Sequence, residues 1–216
     1  MSKFTPVAIT LAGIGGISGS YYLTPKQNSR IINSKVKVSF RNKYKFALLP
    51  EGGDIWERKL ELIKKGKPTH LKLKEIAKNQ ENQDQLRKLH KQACEEIYDY
   101  SIIASPYVSD FKNYCSQNNK EGIGGAWITE DISNPKKKKP PNEWDDKLTK
   151  LKNADKKGLQ GDMLQLNIRL NSDRKKTQWT EEDRKQIKEW CDAFGDEIFF
   201  GQNRISAQNA KQYCTK

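Results

Sequence analysis

Apolar positions along the chain fall into two regimes. Phe4–Leu23 (FTPVAITLAGIGGISGSYYL) runs without a single charge, and after it apolar residues return only at helical spacing among charged ones. A helix rising 1.5 Å per residue needs about 20 apolar residues to cross a ~30 Å hydrocarbon core. Phe4–Leu23 meets that length, with Lys3 before it and Lys26 and Arg30 after it. Gly15 and Gly19 form a G-x-x-x-G pair that would let a second membrane helix approach closely, and Tyr21 and Tyr22 sit where interfacial aromatics belong. A membrane span or uncleaved signal anchor is the leading reading. A cleaved signal peptide ranks second, with Ser18–Ser20 as its small-residue region. A buried soluble helix ranks last, because each glycine weakens a helix in water by up to ~1 kcal/mol.

Beyond the anchor the pattern predicts a mainly α body. Lys35–Phe40 (KVKVSF) alternates like a short half-buried strand. Asp54 and Glu57 form a capping-box pattern ahead of Trp56, Leu60 and Ile63, which share one helical face; Gly66 and Pro68 end that helix. A second helix is predicted from Asn82 to Tyr100 on the stripe Leu86, Leu89, Ala93 and Ile97. A third follows Ser105 and Pro106, carries Val108, Phe111 and Tyr114, and ends at Cys115. Glu121–Pro141 reads as a linker rich in Gly, Pro and Lys. Asn142–Asn153 starts another helix. Thr180 and Asp183 cap a later one, with Ile187, Trp190 and Phe194 on its inner face.

One plan recurs in the two halves. Trp56 and Trp144 each open a Trp-x2-Lys-Leu-x3-Lys stretch, followed by an apolar helix with a cysteine and then a Tyr-Cys pair. Cys94 precedes Cys115 by 21 residues and Cys191 precedes Cys214 by 23. The expected layout is an anchor at 1–23, a basic spacer at 24–50, a helical unit at 51–120, a linker at 121–141 and a second unit at 142–216. Each unit is expected to be an αα-hairpin with a disulfide.

Hydrophobic residues make up 35% of the chain, below the 45–50% usual for globular proteins, so each core is thin and gains from staples. Net charge is +13 and its placement is uneven. Thr24–Gln80 carries 15 Lys/Arg against 5 Asp/Glu, or +10, whereas Glu81–Glu130 carries 5 against 8, or −3. A juxtamembrane basic stretch attracts anionic lipid and, by the positive-inside rule, places the body in the cytoplasm. Disulfides argue for the opposite face, because they persist on the oxidising side.

Were each unit a hairpin, Cys94 would face Cys115 and Cys191 would face Cys214, and closing loops of ~20 residues would contribute about 3 kcal/mol apiece. Other pairings among Cys94, Cys115, Cys191 and Cys214, four buried free thiols, and a zinc site using His90 and Cys94 one turn apart remain as alternatives.

No catalytic, cofactor-binding or metal-binding residues are assigned, and no enzyme activity or cofactor is expected. His70 and His90 read as solvated helix residues. Gly122–Gly125 lacks the flanks of a phosphate loop. Asp145, Asp146 and Glu181–Asp183 sit at helix starts, where acidic residues favour the macrodipole. Lys136–Lys139 is the densest basic run, yet Trp127 and Trp144 are not spaced as a base-stacking platform, which argues against nucleic acid.

The short apolar Gly/Ala/Ser-rich N-terminus, the Trp-x2-Lys-Leu units, the spaced Cys and Tyr-Cys, and the Trp190-Cys191 helix together resemble the uncharacterised paralogous proteins of haemotropic mycoplasmas. That resemblance implies a surface or antigenic role without assigned activity. Such cells lack a wall, so an anchored external body would face the host. The expectation is a single-pass, surface-exposed interaction protein. Its partners would be the membrane, host-surface or other extracellular protein, and a second copy through the membrane helix. The alternative is a cytoplasm-facing basic protein that binds anionic lipid or nucleic acid.

Overall fold

The structure, a computed structural model, describes residues 38–79, 82–133, 142–173 and 178–216. Phe4–Leu23, with Gly15 and Gly19, and the Lys136–Lys139 run lie outside them. Among the described residues the chain is helical, without strands, and no helix there is long and apolar enough to cross a membrane. All the described residues belong to a unit running from Val36 to Lys216.

The first half begins with α1 (Phe40–Lys43), a single turn that overlaps the expected strand Lys35–Phe40 at Phe40 alone; Lys35–Lys37 lie outside the described residues. Ser39 stands just before the turn. Its hydroxyl accepts the Asn42 N–H at 3.3 Å and starts the turn, while only an isolated bridge pairs Ser39 with Ser101. α2 (Ile55–Lys65) buries Ile55, Trp56, Leu60 and Ile63 as predicted and stops at Gly66. The expected Asp54 cap does not form: the carboxylate instead holds Arg58 one turn on.

α3 (Leu71–Lys78) and α4 (Gln83–Asp99) pack against it. The last piece, α5 (Val108–Asp110), runs into a π-helical turn, Phe111–Cys115. Phe40, Trp56, Ile63, Leu73, Ile76, Ile97 and Phe111 fill this core.

The stretch expected to be a linker is structured as far as Ser133. Asn118 and Glu121 form a capping box for α6 (Asn119–Ile123), and Ile123 and Ile128 are buried. The reason is an apolar demand that the Gly and Lys content masks: both isoleucines belong to the second core.

That core is built by α7 (Glu143–Lys152), α8 (Gly161–Leu170), α9 (Glu181–Gly195) and α10 (Ile205–Tyr213). Trp144, Leu148, Leu151, Met163, Leu170, Ile187 and Tyr213 are among its fully buried side chains. Asn167 of α8 and Asn171, which ends it, take over the carbonyls that end α7. Asn167 Nδ2 donates to Leu151 O at 2.6 Å and Asn171 Nδ2 to Lys152 O at 2.8 Å, satisfying acceptors that a helix end leaves open.

The two cores meet through Tyr44 and Ile198, which pack against both, and through backbone hydrogen bonds. Asn119 N–H donates to Glu197 O at 2.9 Å, Phe199 N–H to Gln117 O at 3.1 Å and Gln117 N–H to Ala47 O at 2.7 Å. Ala47 is buried in the second core while Leu49 is buried in the first.

Candidate functional site

The repeated residues occupy matching environments. Trp56 and Trp144 are both buried, and each indole N–H donates to a backbone carbonyl of the preceding segment, Pro50 O at 2.7 Å and Glu130 O at 3.0 Å. The lysines three residues on are buried too. Lys59 meets Glu121 at 2.8 Å, and Lys147 donates to Gln212 O at 3.3 Å. Burial is the main reason that the Lys147 ammonium is held below its ordinary pKa. In each half the cysteines are joined locally: Cys94 to Cys115, with Cα atoms 5.2 Å apart, and Cys191 to Cys214, with Cα atoms 5.6 Å apart. No cysteine is free.

The first disulfide carries the denser chemistry. The π-helical turn closes with carbonyls that have no helical partner downstream, and α4 supplies donors for two of them. His90 Nε2–H donates to Tyr114 O at 2.9 Å, and Tyr98 Oη–H donates to Cys115 O at 2.7 Å while accepting from Leu49 N–H at 3.2 Å. Burial pushes the Tyr98 phenol well above its ordinary range. Cys94 Sγ lies 3.8 Å from the same Tyr114 oxygen.

His90 is therefore not the solvated residue expected from sequence. It is 0% exposed, edge-on to the Trp56 ring at 4.9 Å, and its Nδ1 is buried without a hydrogen-bond partner. Burial lowers its pKa to about 4; nearby Lys59 pushes the same way, and the Tyr114 carbonyl opposes both. The imidazole is neutral at pH 7. One nitrogen of His90 and the sulfurs of Cys94 and Cys115 all lie within 4.8 Å of one another. The signal was in the sequence: His90 lies one turn from both Leu86 and Cys94, on the buried stripe.

His70 is buried as well, its Nε2 3.2 Å from a Glu96 carboxylate oxygen. Beside it, Asp110 lies under the start of α3. Its carboxylate accepts Thr69 N–H at 2.9 Å and His70 N–H at 2.6 Å, from 40 residues away.

No protein-family model, curated protein or solved structure matches this chain.

In the second half an ion pair joins α7 to α9. Arg184 on α9 clasps Asp145 on α7 through Nε at 2.6 Å and Nη2 at 3.0 Å, nearly buried. No histidine accompanies Cys191 and Cys214.

On the surface, Leu71 (78% exposed) and Ile103 (73% exposed) are the most open large apolar side chains among the described residues, with Val108 and Tyr100 about half-exposed. A chain of rings, His70 to Tyr107 at 5.1 Å and Tyr107 to Tyr100 at 5.0 Å, connects the segments that bear them. A separate recess of 470 Å³ is lined by Lys59, Leu62, Lys65, Lys112 and Asp196, among others.

Proposed function

We propose that this chain is a membrane-anchored protein whose body lies on an oxidising, external face and works by binding rather than by catalysis. The observation that carries the reading is that all four cysteines are paired, one buried disulfide in each of the two cores. Buried disulfides persist where the medium is oxidising and are rare where thiols are kept reduced. The uncharged Phe4–Leu23 stretch supports the anchor, and exposed Leu71 and Ile103 offer the apolar contact area a binding surface uses. The resemblance to haemotropic mycoplasma paralogues supports the same reading, with host or other extracellular protein as the partner class.

Thiol labelling of intact cells tests this. An impermeant maleimide should label the four cysteines only after an impermeant reductant is added. Labelling that requires cell lysis, with no reductant needed, would place reduced cysteines inside and reject the reading.

A second reading has one specific observation behind it, the lysine-lined recess together with the +10 charge of Thr24–Gln80. It makes the body a cytoplasm-facing binder of anionic lipid or nucleic acid. Binding to such polyanions should then weaken steeply with added salt, and salt-independent binding would reject it.

A further inference from the structure

Of the features described above, the His90 cluster serves neither reading, and it brings together groups with a defined chemical appetite.

We propose that the first module holds a redox-gated metal site, in which reduced Cys94 and Cys115 and the imidazole of His90 close on one soft d10 cation, Zn(II) or Cu(I). The donor set is the argument. Two thiolates and an imidazole are the ligands that such cations prefer over carboxylate or carbonyl oxygen. All three groups are fully buried and mutually within 4.8 Å.

A ligating imidazole needs one bare nitrogen and commonly anchors the other on a carbonyl or carboxylate. His90 holds Nε2–H on Tyr114 O and has its Nδ1 buried without a hydrogen-bond partner. The bare buried Nδ1 is otherwise a cost with no return, since a buried acceptor without a donor loses its hydration.

The balance of the step is simple. A small dithiol reductant passes two electrons and two protons to the Cys94–Cys115 bond, giving two thiols and leaving the reductant as its own disulfide. The cation then displaces both thiol protons to solvent. With metal–sulfur bonds near 2.3 Å, the two sulfurs end about 3.8–4 Å apart, a separation within reach of side-chain rotation about fixed backbones. The second module offers no equivalent, because no histidine stands beside Cys191 and Cys214. The two halves of the repeat therefore differ in chemistry: one disulfide has a metal-bound alternative and the other has only the free dithiol.

The full chain, reduced with a phosphine that does not compete for metal, is titrated with Co(II) as an optical stand-in for Zn(II). The expected result is a thiolate-to-cobalt charge-transfer band saturating at one equivalent, with two protons released. Zn(II) should displace the cobalt, and a parallel titration with Cu(I) against a chromogenic chelator separates the two cations. Alkylation of the metal-loaded chain, mapped by mass spectrometry, should spare Cys94 and Cys115 and modify Cys191 and Cys214. His90→Ala should weaken the metal roughly a hundredfold, at or above the loss seen when ligand support is removed. The double variant Cys191→Ser/Cys214→Ser should leave affinity unchanged.

Absence of the charge-transfer band, equal protection of all four cysteines, or unchanged affinity in His90→Ala would each overturn the proposal. Should His90→Ala fail to fold, the protection pattern of the unmutated chain decides alone.

Discussion

His90 and Tyr98 face the same strip of backbone two turns apart on α4, and each carries a prediction. The His90 pKa is about 4 in the folded chain against 6.5 for an ordinary imidazole. Between those values the unfolded chain binds the proton and the folded chain does not, so stability falls as pH drops from about 6.5 to about 4. The full loss is about 3 kcal/mol, at ~1.4 kcal/mol per pH unit. Denaturant midpoints measured from pH 7 to pH 4 should show that decline, and His90→Gln should flatten it. Tyr98→Phe removes a hydroxyl that serves both Leu49 N–H and Cys115 O inside the core. Leaving two buried backbone groups without a partner should cost about 2–3 kcal/mol in the same assay.

Single residues also mark what the sequence made legible. Local cysteine pairing was one of several arrangements the spacing allowed, and the fold selects it by bringing the Cα atoms to 5.2 and 5.6 Å. The burial of His90 was missed because a polar residue type outweighed its position on an apolar stripe, and that of His70 because its cover comes from Tyr107 and Glu96, distant in sequence.

At the scale of elements the same division holds. α2, α4, α7 and α9 were readable from their apolar periodicity, and α9 also from the Thr180–Asp183 box, which forms as drawn. α3 was not, since its start carries no local cap: the residue at its N-cap is His70, which makes no side-chain capping bond. Asp110, placed there by the fold, instead fixes the backbone just before the helix by accepting the Thr69 and His70 N–H groups. Asp110→Ala should therefore destabilise by about 1–2 kcal/mol, as those N–H groups lose their acceptor, and hydrogen exchange should quicken across Leu71–Lys78 before it does across α4. α8 was invisible for a related reason. It begins at Gly161 with φ +56° and without a side-chain cap, and its identity lies in Asn167 and Asn171 reaching α7.

Across the described residues, the two halves share one structural economy: a buried Trp tied to the segment before its helix, a buried Lys, and a local disulfide. Such a disulfide contributes about 3 kcal/mol in the chain-entropy account, through loops of 21 and 23 residues. Removing either pair by Cys→Ser double substitution should lower the thermal midpoint by several degrees. The body should still unfold in one transition, because the 117–119 and 197–199 segments and Ala47 tie the cores together. Calorimetry showing two separated transitions would contradict that coupling.

Both sulfur bridges close within their own half, so no covalent link other than the main chain joins residues before Ser133 to residues after Asn142. A protein severed between those points should stay assembled, held by Ala47 and the shared backbone bonds. It should fall into two pieces only in denaturant, even without reductant, and rejoin when the denaturant is diluted away. Half the chain could then be exchanged for another copy's without touching a single sulfur.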